Sequence, residues 1–182
     1  MKRVLGSALL FLLVGVATSE PLPGGSSTTD VIEALAGMDS LPGAGQIGAG
    51  NVPSLGEIAN DVAADPGVRI RAYRSLGLFA DEPTARDALV QGIDRYRTST
   101  SGTELLYLIA ATEGLGEIAG PDDVPTIAPL LDAPSRDLRV VVARALGHVA
   151  DAEACNLLRR RRGVEQVEQV QIAIDETSAV CP

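Results

Sequence analysis

Few residues in this chain could do chemistry, and they lie mostly in its last third. There is one histidine, His148, and there are two cysteines, Cys155 and Cys181. A neutral imidazole beside a hydroxyl or thiol can act as a general base. No G-x-S-x-G turn presents a nucleophile to His148. A surface histidine near a helix C-terminus, favoured by the dipole when protonated, explains it more simply. One His and two Cys also exclude most His- and Cys-ligated metal sites and any zinc ribbon on four cysteines. The acid groups Asp81-Glu82, Asp122-Asp123 and Glu113 with Glu117 lack the D-x-[DN]-x-[DN]-G spacing of a calcium loop. Helix caps and solvated faces account for them. We therefore expect no cofactor, no metal and no catalytic residues.

The elements around these residues begin with an export signal. Lys2 and Arg3 precede an apolar run, Val4 to Ala17, and Ala17 and Ser19 sit at the small positions of an A-x-A-like cleavage site. Cleavage is expected after Ser19, with Ala17 as the second choice. The run would rise about 21 Å as a helix, short of the ~30 Å of a bilayer core. Nothing later is long and apolar enough to span a membrane, so the mature chain has no expected integral span. Loss of Lys2 and Arg3 removes the only lysine and takes the formal charge from −9 to −11. A chain so acidic repels phosphate backbones, which argues against nucleic-acid binding. The expected location is periplasmic or extracellular.

Residues 20–54 read as a mostly flexible segment rich in Pro, Gly and Ser, with a short helix at 31–38 opened by a capping box of Asp30 and Glu33. Ser54 with Glu57 reads as a second box, opening a helix through Ala64. The composition is 46% hydrophobic but only 3% aromatic, with no Trp. A core of Ala, Leu, Val and Ile suits helices better than a β-sandwich.

From residue 55 to 178 the chain repeats. Leu76-Gly77, Leu115-Gly116 and Leu146-Gly147 recur at spacings of 39 and 31 residues. Five residues before each Gly stands Ala72, Ala111 or Val142; eight after it stands Ala85, Val124 or Cys155. Each unit reads as two helices: first helices at 66–78, 103–118 and 135–149, second helices at 83–93, 122–131 and 152–161. Asp65-Pro66 is a helix start. Pro129 argues against a regular middle second helix. Gly near the end of each first helix is expected to allow a sharp corner and close helix approach. A last segment, with Val164, Val167, Val170 or Gln171, and Ile174 facing inward, would cap the array before a tail at 179–182.

The strings D-P-G-V-R-I-R-A-Y-R-S-L-G at 65–77 and S-R-D-L-R-V-V-V-A-R-A-L-G at 135–147 carry a resemblance. These units resemble HEAT-like repeats of the short bacterial type also found in phycobilisome lyases. Arg69 and Arg139 hold equivalent places, eight before the Gly; Leu108 replaces them in the middle unit, and Thr112 stands where Ala143 stands. The resemblance implies an all-α fold, a short right-handed α-solenoid of helix pairs with one surface open to partners. It implies no activity. We expect Arg69 and Arg139 to serve stacking between units, bonding an acid or a helix-end carbonyl in a neighbour.

In an exported chain an even cysteine count favours a disulfide. The repeat places Cys155 near the start of a second helix and Cys181 after the terminal helix. The alternative is a buried thiol at Cys155 and a free one on the tail. Arg159, Arg160, Arg161 and Arg162 read either as a docking patch for an acidic partner or, better, as a helix end whose charges spread around the axis, with Glu165 and Glu168 close by. The function these readings favour is an exported, non-catalytic scaffold for an unidentified protein or peptide. The alternatives are a lyase-like, cofactor-handling enzyme, for which few aromatics are available to stack a tetrapyrrole, and a structural envelope spacer.

Overall fold

The computed structural model describes residues 22–38 and 46–181. The expected signal at 1–19 and both cleavage choices lie outside the described residues. Within them the chain is all-helical, with nine α-helices, three short 3-10 turns and one isolated bridge, Leu22 to Ile47. The helices are α1 (Thr28–Gly37), α2 (Val52–Asn60), α3 (Pro66–Leu76), α4 (Pro83–Tyr96), α5 (Gly102–Ile118), α6 (Val124–Ile127), α7 (Arg136–Val149), α8 (Ala152–Arg162) and α9 (Glu168–Ser178).

Local chemistry sets most of these starts. The Asp65 carboxylate accepts from the Gly67 and Val68 N–H groups ahead of Pro66. Ser135 caps α7 through Leu138 N–H, and Asp151 caps α8 through Ala154 N–H. Such caps satisfy amides that have no partner inside the helix. The middle second helix is broken: a 3-10 turn at Pro121–Asp123, the four residues of α6, then a 3-10 turn at Ala128–Asp132. Pro125 and Pro129 remove donors from a run that regular α-helix would need.

Two starts differ from the sequence expectation. Ser27, not Asp30, caps α1; Asp30 is its partner three residues on, and the two bond reciprocally. The helix therefore begins at Thr28, inside the stretch expected to be flexible linker. That stretch is tied down by Asn51, fully buried, whose side-chain oxygen accepts from Ser26 N–H and whose amide donates to the Pro23 carbonyl. A tertiary contact orders what composition alone left loose. Likewise α2 begins at Val52, with Pro53 in its first turn, and ends at Asn60 rather than Ala64. Ser54 is inside that helix and caps nothing.

Helix α3 packs against α5, α5 against α7, and α7 against α9, in a row. Helix α4 packs on α2 and α5, while α8 packs on α7 and α9. The register residues fill the core: Ala72, Ala111, Val142, Leu76, Leu115, Leu146, Ala85, Val124 and Cys155 are all fully buried.

The glycines do one of the two jobs expected of them. Gly77 caps α3 in right-handed helical geometry, and Gly116 and Gly147 lie inside helices, so none makes a corner. The left-handed residue after α7 is Ala150, with φ of 50°. What needs glycine is approach. A Cβ on Gly77 would stand 2.7 Å from the Gly114 carbonyl oxygen, on Gly116 2.8 Å from the Ala145 Cβ, and on Gly147 it would overlap the Thr177 side chain. Each of these three glycines thus lies against the next helix of the row. In α9, Val170 and Ile174 face inward as expected. Val164 does not: it is 65% exposed, because α9 starts only at Glu168 and Val164 lies in the turn before it.

Candidate functional site

Across α3, α5 and α7 runs an open trough of about 750 Å³. Its floor includes Gly114, Gly116 and Ala145, the small residues that the close helix approach demands. Its rim is mostly charged: Arg74 from α3 with the apolar Leu78 just past its end, Glu113 and Glu117 from α5, Arg144 and His148 from α7. These six fall at two places in the repeat, three before each Gly and one after it. Four residues apart on a helix is one face, so the repeat lines up one pair per helix along the trough.

Arg74 Nε donates to the Glu113 carboxylate, an ion pair across the α3–α5 boundary with both side chains about one-third exposed. Arg144, Glu117 and His148 are exposed and make no ion pair among the described residues. The hydroxyl lining the trough, on Thr112, is buried and donates back to the Leu108 carbonyl at 2.7 Å. His148 therefore shares the trough with two arginines and two glutamates, and with no hydroxyl that faces it. The sequence expectation placed His148 on the surface near a helix end, which is where it is. It missed the trough around it, although charged side chains recur three before each Leu-Gly glycine, at Arg74, Glu113 and Arg144.

The register-equivalent arginines are both nearly buried, Arg69 at 3% exposure and Arg139 at 7%. Arg69 Nε donates to the Ala59 carbonyl near the end of α2, and its Nη2 donates to the Tyr96 hydroxyl at 2.6 Å. Its guanidinium carbon lies 4.0 Å from the centroid of the Tyr107 ring. Tyr73 completes the group, so the chain's three tyrosines gather here. Burial works to lower the Arg69 pKa, but the Tyr96 hydrogen bond and the three phenols outweigh it, and the pKa is raised. Burial, then the neighbouring Tyr96, pushes the Tyr73 phenol up to about 12. The Tyr73 hydroxyl donates to Asn60 Oδ1. Leu108, which stands in for these arginines in the middle unit, is fully buried.

Arg139 meets an acid instead. Its Nε and Nη2 donate to the two oxygens of Glu165 at 2.9 and 3.1 Å, and its Nη1 donates to the Ala133 and Pro134 carbonyls. Glu165 also accepts from Arg161 and from the Gln166 and Val167 N–H groups. Burial alone would raise this carboxyl. The hydrogen bonds from Arg139, Val167 N–H and Arg161, with the Arg139 charge, outweigh burial and hold it at about 2.

The four consecutive arginines are not brought together on one surface. Arg159 donates to Asn156, Arg160 is exposed, Arg161 reaches Glu165 and Asp132, and Arg162 pairs with Asp175. About 100° of rotation per residue separates them. The acid groups are likewise dispersed. Asp123 is buried, accepts from Gly120 N–H and pairs with Arg86, and Glu113 is taken by Arg74. Among the described residues no three His, Cys, Asp or Glu side chains converge as a metal site would need. Cys155 and Cys181 face each other at disulfide distance, with Cα atoms 5.8 Å apart. No helix among the described residues is long and apolar enough to cross a membrane.

No family model matches the chain, and no curated protein matches it.

Proposed function

We propose that the protein is an exported, non-catalytic interaction module, a short right-handed solenoid of HEAT-like helix pairs whose trough receives a segment of a partner polypeptide. The observation that carries this reading is the trough itself, with one register-equivalent pair of side chains from each of three successive helices along it. Stacking of this kind makes a continuous surface from a local repeat, and a shallow floor of Gly and Ala leaves room for a chain laid across it. The N-terminal sequence and a cysteine pair at bonding distance support export. A lyase-like activity has no comparable support, since the three tyrosines surround Arg69 and the two cysteines face each other.

The test is site-specific photocrosslinking in envelope extracts from positions 78 and 117, compared with positions 87 and 153 on the second helices. A partner captured from the trough positions and lost on Arg144→Glu supports the reading. Capture only from the second-helix positions moves the binding surface elsewhere, and no capture from any position argues for the spacer.

A further inference from the structure

The trough ends at α7, and its last residues there, Arg144 and His148, flank Gly147. Gly147 is covered by Thr177 of α9 more closely than any side chain in its place would allow. Thr177 lies four residues before Cys181, and Cys181 is tied to Cys155, the buried fourth residue of α8. Helix α9 buries Val170, Ala173 and Ile174 and packs on α7 and α8. Its two ends are held differently. The N-terminal end follows directly on Glu165, which four groups clamp. The C-terminal end is held less firmly: Asp175 pairs with Arg162 of α8 at an exposed site, Thr177 bonds only within its own helix, and the chain then reaches the disulfide.

We propose that the Cys155–Cys181 disulfide is a latch on the helix that packs against α7 beside the trough: its reduction frees the last turns of α9 from Gly147, between the trough residues Arg144 and His148, while the rest of the array stays folded. The proposal names a regulation of the trough and rests on the reading of that trough as the binding surface. The reductant is a dithiol. Its thiolate attacks the sulfur of Cys181, the more exposed partner, and Cys155 leaves as a thiolate. The second thiol of the reductant then displaces Cys181. Two electrons pass to the protein, the two protein thiols take up the two protons, and the reductant is released as a disulfide. Loosening is local because the clamp at Glu165 involves neither sulfur.

Hydrogen exchange on the oxidised protein, with and without dithiothreitol, tests this without any partner. The expected result is exchange faster by about tenfold or more in residues 168–181 and at 144–149, with α3 and α5 unchanged. The double variant Cys155→Ser/Cys181→Ser should show the same pattern with no reductant. Unchanged exchange at 168–181 would mean that packing alone holds α9, and a rise along the whole chain would make the bond a global staple; either outcome overturns the latch. Crosslinking from the trough of the oxidised protein tests the binding surface separately, so a latch without a partner is distinguishable from a partner without a latch.

Discussion

Arg69 and Arg139 stand at the same place in two repeats, eight residues before a Leu-Gly glycine, and both are nearly buried. Their charges are met in opposite ways. Arg69 has no carboxylate; it is compensated by a carbonyl, a phenol and the faces of aromatic rings. Arg139 shares a buried carboxylate with Arg161 and has two further carbonyls. The repeat decides where a guanidinium stands, and the next elements decide how its charge is held. Aromatic faces and neutral acceptors tolerate the charge; an ion pair makes each partner depend on the other.

The difference can be broken most severely at the acid. Glu165→Ala leaves Arg139 buried without its anion and should cost about 3–5 kcal/mol in chemical denaturation. Adding Arg139→Met should recover most of that loss. Equal loss in the single and double variants would show that the charge pair is not what the site depends on.

Titration separates the two sites next. The folded-state pKa of Glu165 lies below its ordinary value, so its contribution is fully present above about pH 4.5 and is lost as pH falls towards 2. The swing is up to about 3 kcal/mol, and Glu165→Gln should flatten this acid limb. The Arg69 group has no carboxylate and adds nothing there. Its limb is alkaline: the raised Tyr73 pKa contributes stability present below about pH 10 and lost as pH rises towards 12. Tyr73→Phe should remove that limb and leave the acid one intact, as read by circular dichroism across pH.

Tyr107→Leu keeps apolar bulk but removes the ring that faces Arg69. A loss of about 1–2 kcal/mol is expected, smaller than at Glu165 because no charge is left without its counter-ion. A loss as large as that of Glu165→Ala would mean that the aromatic faces hold the charge as strictly as an acid does. The smallest effect belongs to the trough: Arg144→Glu, at an exposed site with no ion pair, should change stability by no more than about 0.5 kcal/mol. A larger change in thermal melting would make Arg144 a structural residue rather than a surface one.

Much of the helical plan was legible in the residues. The Leu-Gly spacing located the first helices, Asp65-Pro66 marked the start of one of them, and Pro129 argued against a regular middle second helix. The two arginines were picked out by register, and the cysteine pair by an even cysteine count in a chain with an export signal. The misses share a cause. Ser27 could not be preferred to Asp30 as a cap until Asn51 was seen to order the chain before it. Glu165 was noted only as a neighbour of the arginine run, because its bond to Arg139 joins residues 26 apart. The trough was missed because each helix contributes only two rim residues, and two residues in isolation look like an ordinary solvated face.

Local features are therefore what the sequence determined by itself: helix periodicity, the Asp65-Pro66 start, the proline break and the small residues that must lie at close approaches. Those depend on neighbours within one or two turns, and a repeat writes them more than once. Tertiary structure alone decided which side chains share a trough, which acid compensates which arginine, and what packs on Gly147. These are set by distances between helices far apart in the chain, where one substitution of Leu for Arg or Glu for Arg changes the chemistry without disturbing the period.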